Sequence, residues 1–449
     1  MATTKEPPVI DSRLLVMLHM QGVFQPTGWL DIKEQESEVL RSQFGYGSRY
    51  LARHNAVELD PASLSFGANG AGRAERLLLC DVDLKPLDGL TLFGAIRDAS
   101  PDAWGRRVIE SRMGAPLNSL PESVYLRNAG SERIGALDFR EAIHETAPTK
   151  NPTSIHRLQY LIEAADRIDQ GLPIPTNLED IFDAGTSLGG MRPKVTVADD
   201  DGVLWLAKFP SQGDRLNVPM LETATMWLAK DAGLDVPEIK LATIGGQSVM
   251  MIKRFDRSYV QGKPDAQGVS SMEVYRTHMA SSLTMLGCTE NQSRSKNYFE
   301  IADVIRRKAP IDKVKSDSAE LFGRMVFNIL VSNDDDHLRN HAFLHSLGKE
   351  SRDGEFREQG WQLSPLYDVM PRPSIGTDRY LHLGVGTQGR LATIGNAMSM
   401  HGRFGLTKSS ATAIIDRIWT VVREWKTYFE SYGVDSRQIQ LIAPAFRKI

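Results

Sequence analysis

The sequence predicts an α+β protein in which a β-rich N-terminal unit precedes an α-rich larger lobe. Three observations carry this. Residues 13–66 hold short apolar runs broken by Gly, Pro and Asn, the pattern of successive strands. Residues 195–209 alternate apolar and polar on both sides of Asp201-Gly202, the pattern of a β-hairpin. Beyond about residue 270 the apolar spacing becomes mostly helical. At about 150 residues per domain, 449 residues make two or three units. The polar, Pro-containing stretch 144–153 marks the expected boundary, giving a β-rich subdomain over residues 1–148 and a second domain over 149–449.

Composition narrows the class. A hydrophobic share of 41% and a charged share of 24% are those of an ordinary folded chain. The formal net charge of −3 gives no sequence-wide basic field for nucleic acid or anionic lipid. Cys80 and Cys288 are the only cysteines, which excludes a disulfide framework and a Cys-based zinc ribbon and fits a reducing cytoplasm. The first apolar run, residues 14–18, is short and follows Lys5, Glu6, Asp11 and Arg13, so neither a secretory signal nor a membrane span is expected.

Along the chain, Ser100 and Pro101 predict a helix entry, with Trp104, Val108 and Ile109 as its apolar stripe. An amphipathic helix is expected over 155–169, then a glycine loop over 185–194 leading into the hairpin. A helix over 219–232 stops at Gly233 with Pro237 beyond, and 249–255 reads as a strand. Asp317 and Glu320 have capping-box spacing ahead of an apolar helix over 321–331. Ile414, Ile418, Val421, Trp425 and Tyr428 recur at helical spacing near the C-terminus.

Chemistry concentrates in Ser332-Asn-Asp-Asp-Asp-His-Leu-Arg-Asn340, placed directly after the apolar helix. Phosphoryl transfer needs a carboxylate to orient the attacking hydroxyl and an oxygen ligand for Mg²⁺, and kinases set such an Asp and Asn five residues apart, the spacing of Asp335 and Asn340. If 341–344 and 361–363 pair as strands across a polar turn, Asn340 approaches Asp368, an oxygen-donor set suited to Mg²⁺. Lys208 lies on the hairpin face of Leu204 and Leu206, a place for a charge that meets a phosphate, and Glu222 could reach inward to hold it. The loop Ser187-Leu-Gly-Gly-Met-Arg-Pro-Lys194 offers backbone amides, Gly189 and Gly190 for close approach, and the cations Arg192 and Lys194. Each feature also has a plainer reading: a solvated acidic loop, a turn aspartate beside Pro365 and Pro371, an edge-strand lysine with an exposed glutamate, a simple glycine turn. His337 and His341 are four apart but lack the glutamate of a zinc-protease motif.

Together these segments resemble the HipA family, serine/threonine kinase toxins of bacterial toxin–antitoxin systems. The resemblance rests on Phe93-Gly94 with Pro101-Asp-Ala-Trp-Gly-Arg-Arg107, Ile134-Gly-Ala136, Ser187 to Lys194, Lys208, Arg254-Phe-Asp-Arg257, Asp335 to Asn340, and Pro365-Leu-Tyr-Asp-Val369, in the family's order. It implies a two-lobed, protein-kinase-like fold behind the N-terminal subdomain, with a smaller lobe to about residue 258, an α-rich catalytic lobe over 259–449, and ATP between the lobes. It makes Asp335 the catalytic base, Asn340 and Asp368 the Mg²⁺ ligands, and Lys208 a contact to ATP phosphates. Gly189, Gly190, Arg192 and Lys194 would form the phosphate loop and Lys253 to Phe255 the adenine hinge, with His337 and Tyr367 among the nucleotide contacts. Ser187 matches the serine that such kinases autophosphorylate. The family's substrates include aminoacyl-tRNA synthetases, and its usual partner is a HipB-like helix-turn-helix antitoxin, through which DNA would be reached indirectly. The sequence departs from many relatives at Lys253, where they carry Glu, and at Arg339, where they carry Lys. The function so implied is an Mg·ATP-dependent protein kinase acting on a translation protein; a small-molecule phosphotransferase, an ATP-binding pseudokinase scaffold of a repressor complex and a metal-dependent nuclease are the alternatives.

Overall fold

The computed structural model describes residues 7–67, 72–145, 152–185, 190–264, 270–346, 360–374, 376 and 378–446. They fall into two compact units: residues up to 212 together with 256–280, and residues 213–255 together with those from 281 on. Ser187, Gly189, most of the expected 144–153 boundary and most of the polar turn before Trp361 lie outside the described residues.

In the first unit, strands Val9–Met20, Val23–Gln35 and Glu38–Tyr46 form an antiparallel meander, and Leu137–Arg140 adds to the free side of the first strand. These strands are longer than the short runs predicted: along the second and third, buried positions alternate with less buried ones, while residues 14–20 of the first are buried on both faces. Leu14, Val16, Leu18, Leu30, Ile32 and Phe44 are all buried in one cluster. The first hairpin turns at Gln21-Gly22, both at positive φ (48° and 85°), the backbone that a two-residue hairpin with native twist requires. Gly28 admits no side chain, since a Cβ there would collide with the Gly45 carbonyl of the neighbouring strand.

Helix Ala103–Met113 starts later than Ser100-Pro101 suggested. Asp102 is its N-cap, with Oδ1 accepting from Gly105 N at 2.7 Å, while the Ser100 hydroxyl bonds Glu122 instead. Trp104, Val108 and Ile109 are buried, as the stripe required. The helix expected over 155–169 is a 3₁₀ turn Ile155–Arg157 running into helix Leu158–Asp169. Lys194–Ala198 and Leu204–Lys208 pair as the predicted hairpin, with Gly202 at φ 77° and Asp199 Oδ1 accepting from Asp201 N and Val203 N. Two sequence motifs interlock nearby: Asp256 accepts from Gly135 N at 2.8 Å, and buried Arg257 donates to Gly135 O and Arg133 O at 2.9 and 2.8 Å.

In the second unit, helix Val218–Asp231 is capped by Asn217 and ended by Gly233 at φ 79°. Hairpin Ile239–Ile244 with Gln247–Lys253 follows and turns on Gly245-Gly246. The apolar helix runs Val314–Val331, beginning a full turn before the predicted cap. Asp317 is therefore inside the helix, where its Oδ2 accepts from Leu363 N at 2.9 Å, and Glu320 binds Arg324 at 2.8 Å and accepts from Asp235 N. Both carboxylates fasten this helix to other segments rather than cap it. Helices Lys408–Val422 and Trp425–Ser431 bury Ala411, Ile415, Ile418, Val422, Trp425 and Phe429. Ile414, Val421 and Tyr428 of the predicted stripe are only half-buried, so the stripe sits about one position off. Gly323 lets the two long helices approach, with Leu234 and Ile418 filling the space a Cβ would take. Among the described residues no helix is long and apolar enough to cross a membrane.

Candidate functional site

Helix Val314–Val331 ends at Ser332 in left-handed backbone (φ 53°), which turns the chain sharply into the acidic loop. The loop then closes on itself. Asp335 O accepts from His337 N at 2.8 Å and from Asn340 Nδ2 at 3.1 Å, and residues Leu338–Asn340 form one 3₁₀ turn. Because the Asn340 amide nitrogen is held by this carbonyl, its oxygen is directed elsewhere and takes no hydrogen bond among the described residues. Asn340 itself is buried, at 5% exposure.

The returning hairpin is present as the sequence required, Ala342–Ser346 antiparallel to Gly360–Leu363 with Phe343 opposite Leu363. Ser364 N continues the ladder to Ala342 O at 2.9 Å, and Tyr367 Oη donates to Arg339 O at 2.6 Å. The segment bearing Asp368 is thus tied to the residue before Asn340 by the strand pairing and the Tyr367 hydrogen bond. Asp368 has φ 61°, a conformation that aspartate tolerates better than most residues but that still costs energy unless its surroundings hold it. Phe255 lies against Tyr367 with ring centroids 5.7 Å apart, so Phe255, Tyr367 and the acidic loop are joined in one unit. Lys253 is half-exposed and bonded to Glu238 at 3.2 Å.

Two residues that sequence reasoning passed over shape this loop. Asp336, next to the proposed base, is buried, and its Oδ2 accepts from Tyr298 Oη, from Asn328 Nδ2 at 2.7 Å and from His341 Nε2 at 2.8 Å. Burial opposes its ionisation, but the His341 ring and the hydrogen bonds from His341 and Tyr298 outweigh that and hold its pKa below the usual carboxylate value. The available signal was Asn328, an amide inside the otherwise apolar run of residues 325–331. Arg372 is the second, its guanidinium 2.6 Å from Asp335 Oδ2 and 3.5 Å from Asp334 Oδ1, in half-exposed pairs. His337 meets His382 edge-on at 5.8 Å and has a buried Nδ1 with no hydrogen-bond partner among the described residues. Burial first, then His337, lowers the pKa of His382.

Lys208 and the described residues of the glycine loop belong to the first unit. Lys208 ends strand Leu204–Lys208, half-buried and paired in register with Lys194. Glu222, expected to reach Lys208, is a buried residue of the second unit's helix Val218–Asp231. Gly190 has φ 116° and Arg192 is half-buried, while Lys194 is almost completely buried and ion-paired with Asp102 at 3.0 Å.

An Mg·nucleotide fits the donors that are present. Asn340 supplies an open amide oxygen and Asp368 a carboxylate, while no group of three or more His, Cys, Asp or Glu among the described residues could cage a metal by itself. Mg²⁺ characteristically takes one or two protein oxygens and completes its shell with phosphate and water.

The fold is that of HipA. A solved chain of the HipA, HipB and operator DNA complex of Shewanella oneidensis superposes with TM-score 0.63 at 16% identity, covering 95% of this chain and 94% of that one. Residues 186–425 match the HipA-like C-terminal domain, and the chain belongs to that family. Among curated proteins it is similar to two provisionally named kinases of Sinorhizobium fredii. Y4dM is 27% identical over 38% of this chain and 38% of its own length, and Y4mE is 26% identical over 73% and 71%. The serine/threonine-protein kinase toxin HipA of Shewanella oneidensis is 24% identical over 33% of both chains. The chain therefore spans well under two thirds of the length of the first of these relatives.

Proposed function

We propose that this chain is an Mg·ATP-dependent serine/threonine protein kinase, the toxin of a HipBA-like pair. The observation that carries the reading is the loop closure that sets Asp335 and Asn340 at the two ends of one turn, with Asp368 tied to the same turn through Tyr367. In this reading Asp335 accepts the proton of the attacking hydroxyl, as a half-exposed carboxylate can. Asn340 and Asp368 hold Mg²⁺, which when bound neutralises charge on the phosphates. Lys208 and the loop residues Gly189, Gly190 and Arg192 bind the phosphates, with Lys194 closing the loop, and Lys253, Phe255, His337 and Tyr367 contact the nucleotide. Ser187 is the autophosphorylation site; charge added there would compete with the phosphates the loop binds. The functional domains are residues 1–148 and 149–449, the latter with a smaller lobe to about residue 258 and an α-rich catalytic lobe over 259–449. A HipB-like antitoxin is the partner through which DNA is reached, a translation protein such as an aminoacyl-tRNA synthetase is the substrate class, and the cytoplasm is the site of action.

The test is γ-labelled Mg·ATP added to cell lysate with the purified protein or its Asp335→Asn variant. Label entering protein only with the intact aspartate supports the reading. Label confined to small molecules overturns it in favour of a small-molecule phosphotransferase.

A further inference from the structure

We infer that Asp102 is a positioning residue of the phosphate loop, acting through Lys194; the inference rests on the kinase reading above and makes the start of helix Ala103–Met113 the anchor of that loop. Lys194 looked from sequence like a phosphate contact, but its side chain is only 2% exposed and its ammonium lies 3.0 Å from Asp102 Oδ2, a carboxylate 12% exposed and 92 positions earlier in the chain. A buried ammonium is tolerable only when paired, so Asp102 fixes where Lys194 can be. The other Asp102 oxygen caps the helix at Gly105 N. One carboxylate thus joins the helix start to the loop end.

The backbone is fastened at both ends of 190–194. Trp104, fully buried, donates from Nε1 to Lys194 O at 2.8 Å and from its backbone N to Gly190 O at 3.4 Å. Gly190, at φ 116°, packs directly on the ion pair: a Cβ there would stand 2.7 Å from Lys194 Nζ and 3.8 Å from Asp102 Oδ2. The glycine is needed both for its backbone angle and because a side chain would push the ammonium off its carboxylate. Amides that cradle an anion work only when their directions are set in advance. Here the Asp102–Lys194 pair sets them, and Lys194 serves as a strut of the loop.

The test uses the full-length protein and a non-hydrolysable Mg·ATP analogue, with Kd and melting temperature measured together. Asp102→Asn keeps an oxygen for the helix cap, since Asn ranks with Asp there, and removes the charge facing Lys194. We expect Kd to rise about 10- to 100-fold, the scale of a displaced preorganised contact. Lys194→Met should weaken binding comparably, and the double variant no further, because all three break one link. Wild-type Kd in folded Asp102→Asn, with only the melting temperature lowered, overturns the inference. So do losses that multiply in the double variant. If Asp102→Asn fails to fold, the double variant, which leaves no orphaned ammonium, decides: wild-type affinity there overturns the inference and weakened affinity upholds it. A wild-type protein that binds no Mg·nucleotide removes the kinase reading and this inference together, whereas wild-type binding that Asp102→Asn leaves untouched removes only the inference.

Discussion

Asp335 and Asp336 are adjacent in sequence and opposite in environment, so truncating each should separate activity from stability. In Asp336→Ala three buried donors, Tyr298 Oη, Asn328 Nδ2 and His341 Nε2, lose their shared acceptor. Breaking such a buried charged contact costs about 3–5 kcal/mol, which for a unit of this size lowers the melting temperature by on the order of 10 °C. Asp335 meets Arg372 in a pair that is about half exposed on both sides, and pairs of that kind contribute about 0–1 kcal/mol. Asp335→Ala should therefore melt within a few degrees of wild type while losing phosphoryl transfer. The sign with pH is also fixed. Because the folded state holds the Asp336 pKa below its ordinary value, its contribution is present at neutral pH and disappears as pH falls through that depressed value. The gap between wild type and Asp336→Ala should narrow in strong acid. Thermal melts and transfer assays on the two variants check this, and equal melting losses, or a stable Asp336→Ala protein, would refute the division of roles.

Other outcomes follow from the same physics. His278, buried with Nε2 donating to Leu59 O, has its pKa lowered by burial from 6.5 to about 4. The unfolded chain then binds the extra proton between those values, so the first unit should lose stability as pH falls from 6.5 to 4, by up to about 3 kcal/mol, and His278→Gln should flatten that slope in a pH series of melts. Gly28→Ala should destabilise the N-terminal sheet by several kcal/mol, since the added Cβ meets strand backbone and not a flexible side chain, and a loss of soluble protein or a sharply lowered melting temperature would register it.

What the sequence made legible was local. The hairpin of Lys194–Ala198 and Leu204–Lys208 could be read because its turn chemistry, Asp199 to Gly202, is contiguous. The Asp335 and Asn340 spacing could be read because one turn of chain contains both. Register carried the next step, since pairing of Ala342–Ser346 with Gly360–Leu363 was enough to bring Asp368 back toward Asn340. What failed was long-range. Asp317 has the spacing of a helix cap, yet a backbone amide 46 residues away claims its carboxylate, and the helix begins earlier. Lys194 was assigned to a ligand because a cation beside glycines resembles a phosphate cradle, and its partner Asp102 lies in a helix start read only as structural. Asp336 was passed over because Tyr298, Asn328 and His341 are separate in sequence and meet only when helix and loop pack.

The central claim, that the loop from Asp335 to Asn340 transfers phosphate from Mg·ATP to protein hydroxyls, is tested most directly by intact mass and peptide mapping. Phosphatase-treated wild-type protein and the Asp335→Asn variant are each incubated with Mg·ATP. The account predicts a gain of phosphate in the wild type alone, mapping to Ser187. A gain of equal size in Asp335→Asn, or none in the wild type under conditions where it binds ATP, would contradict it.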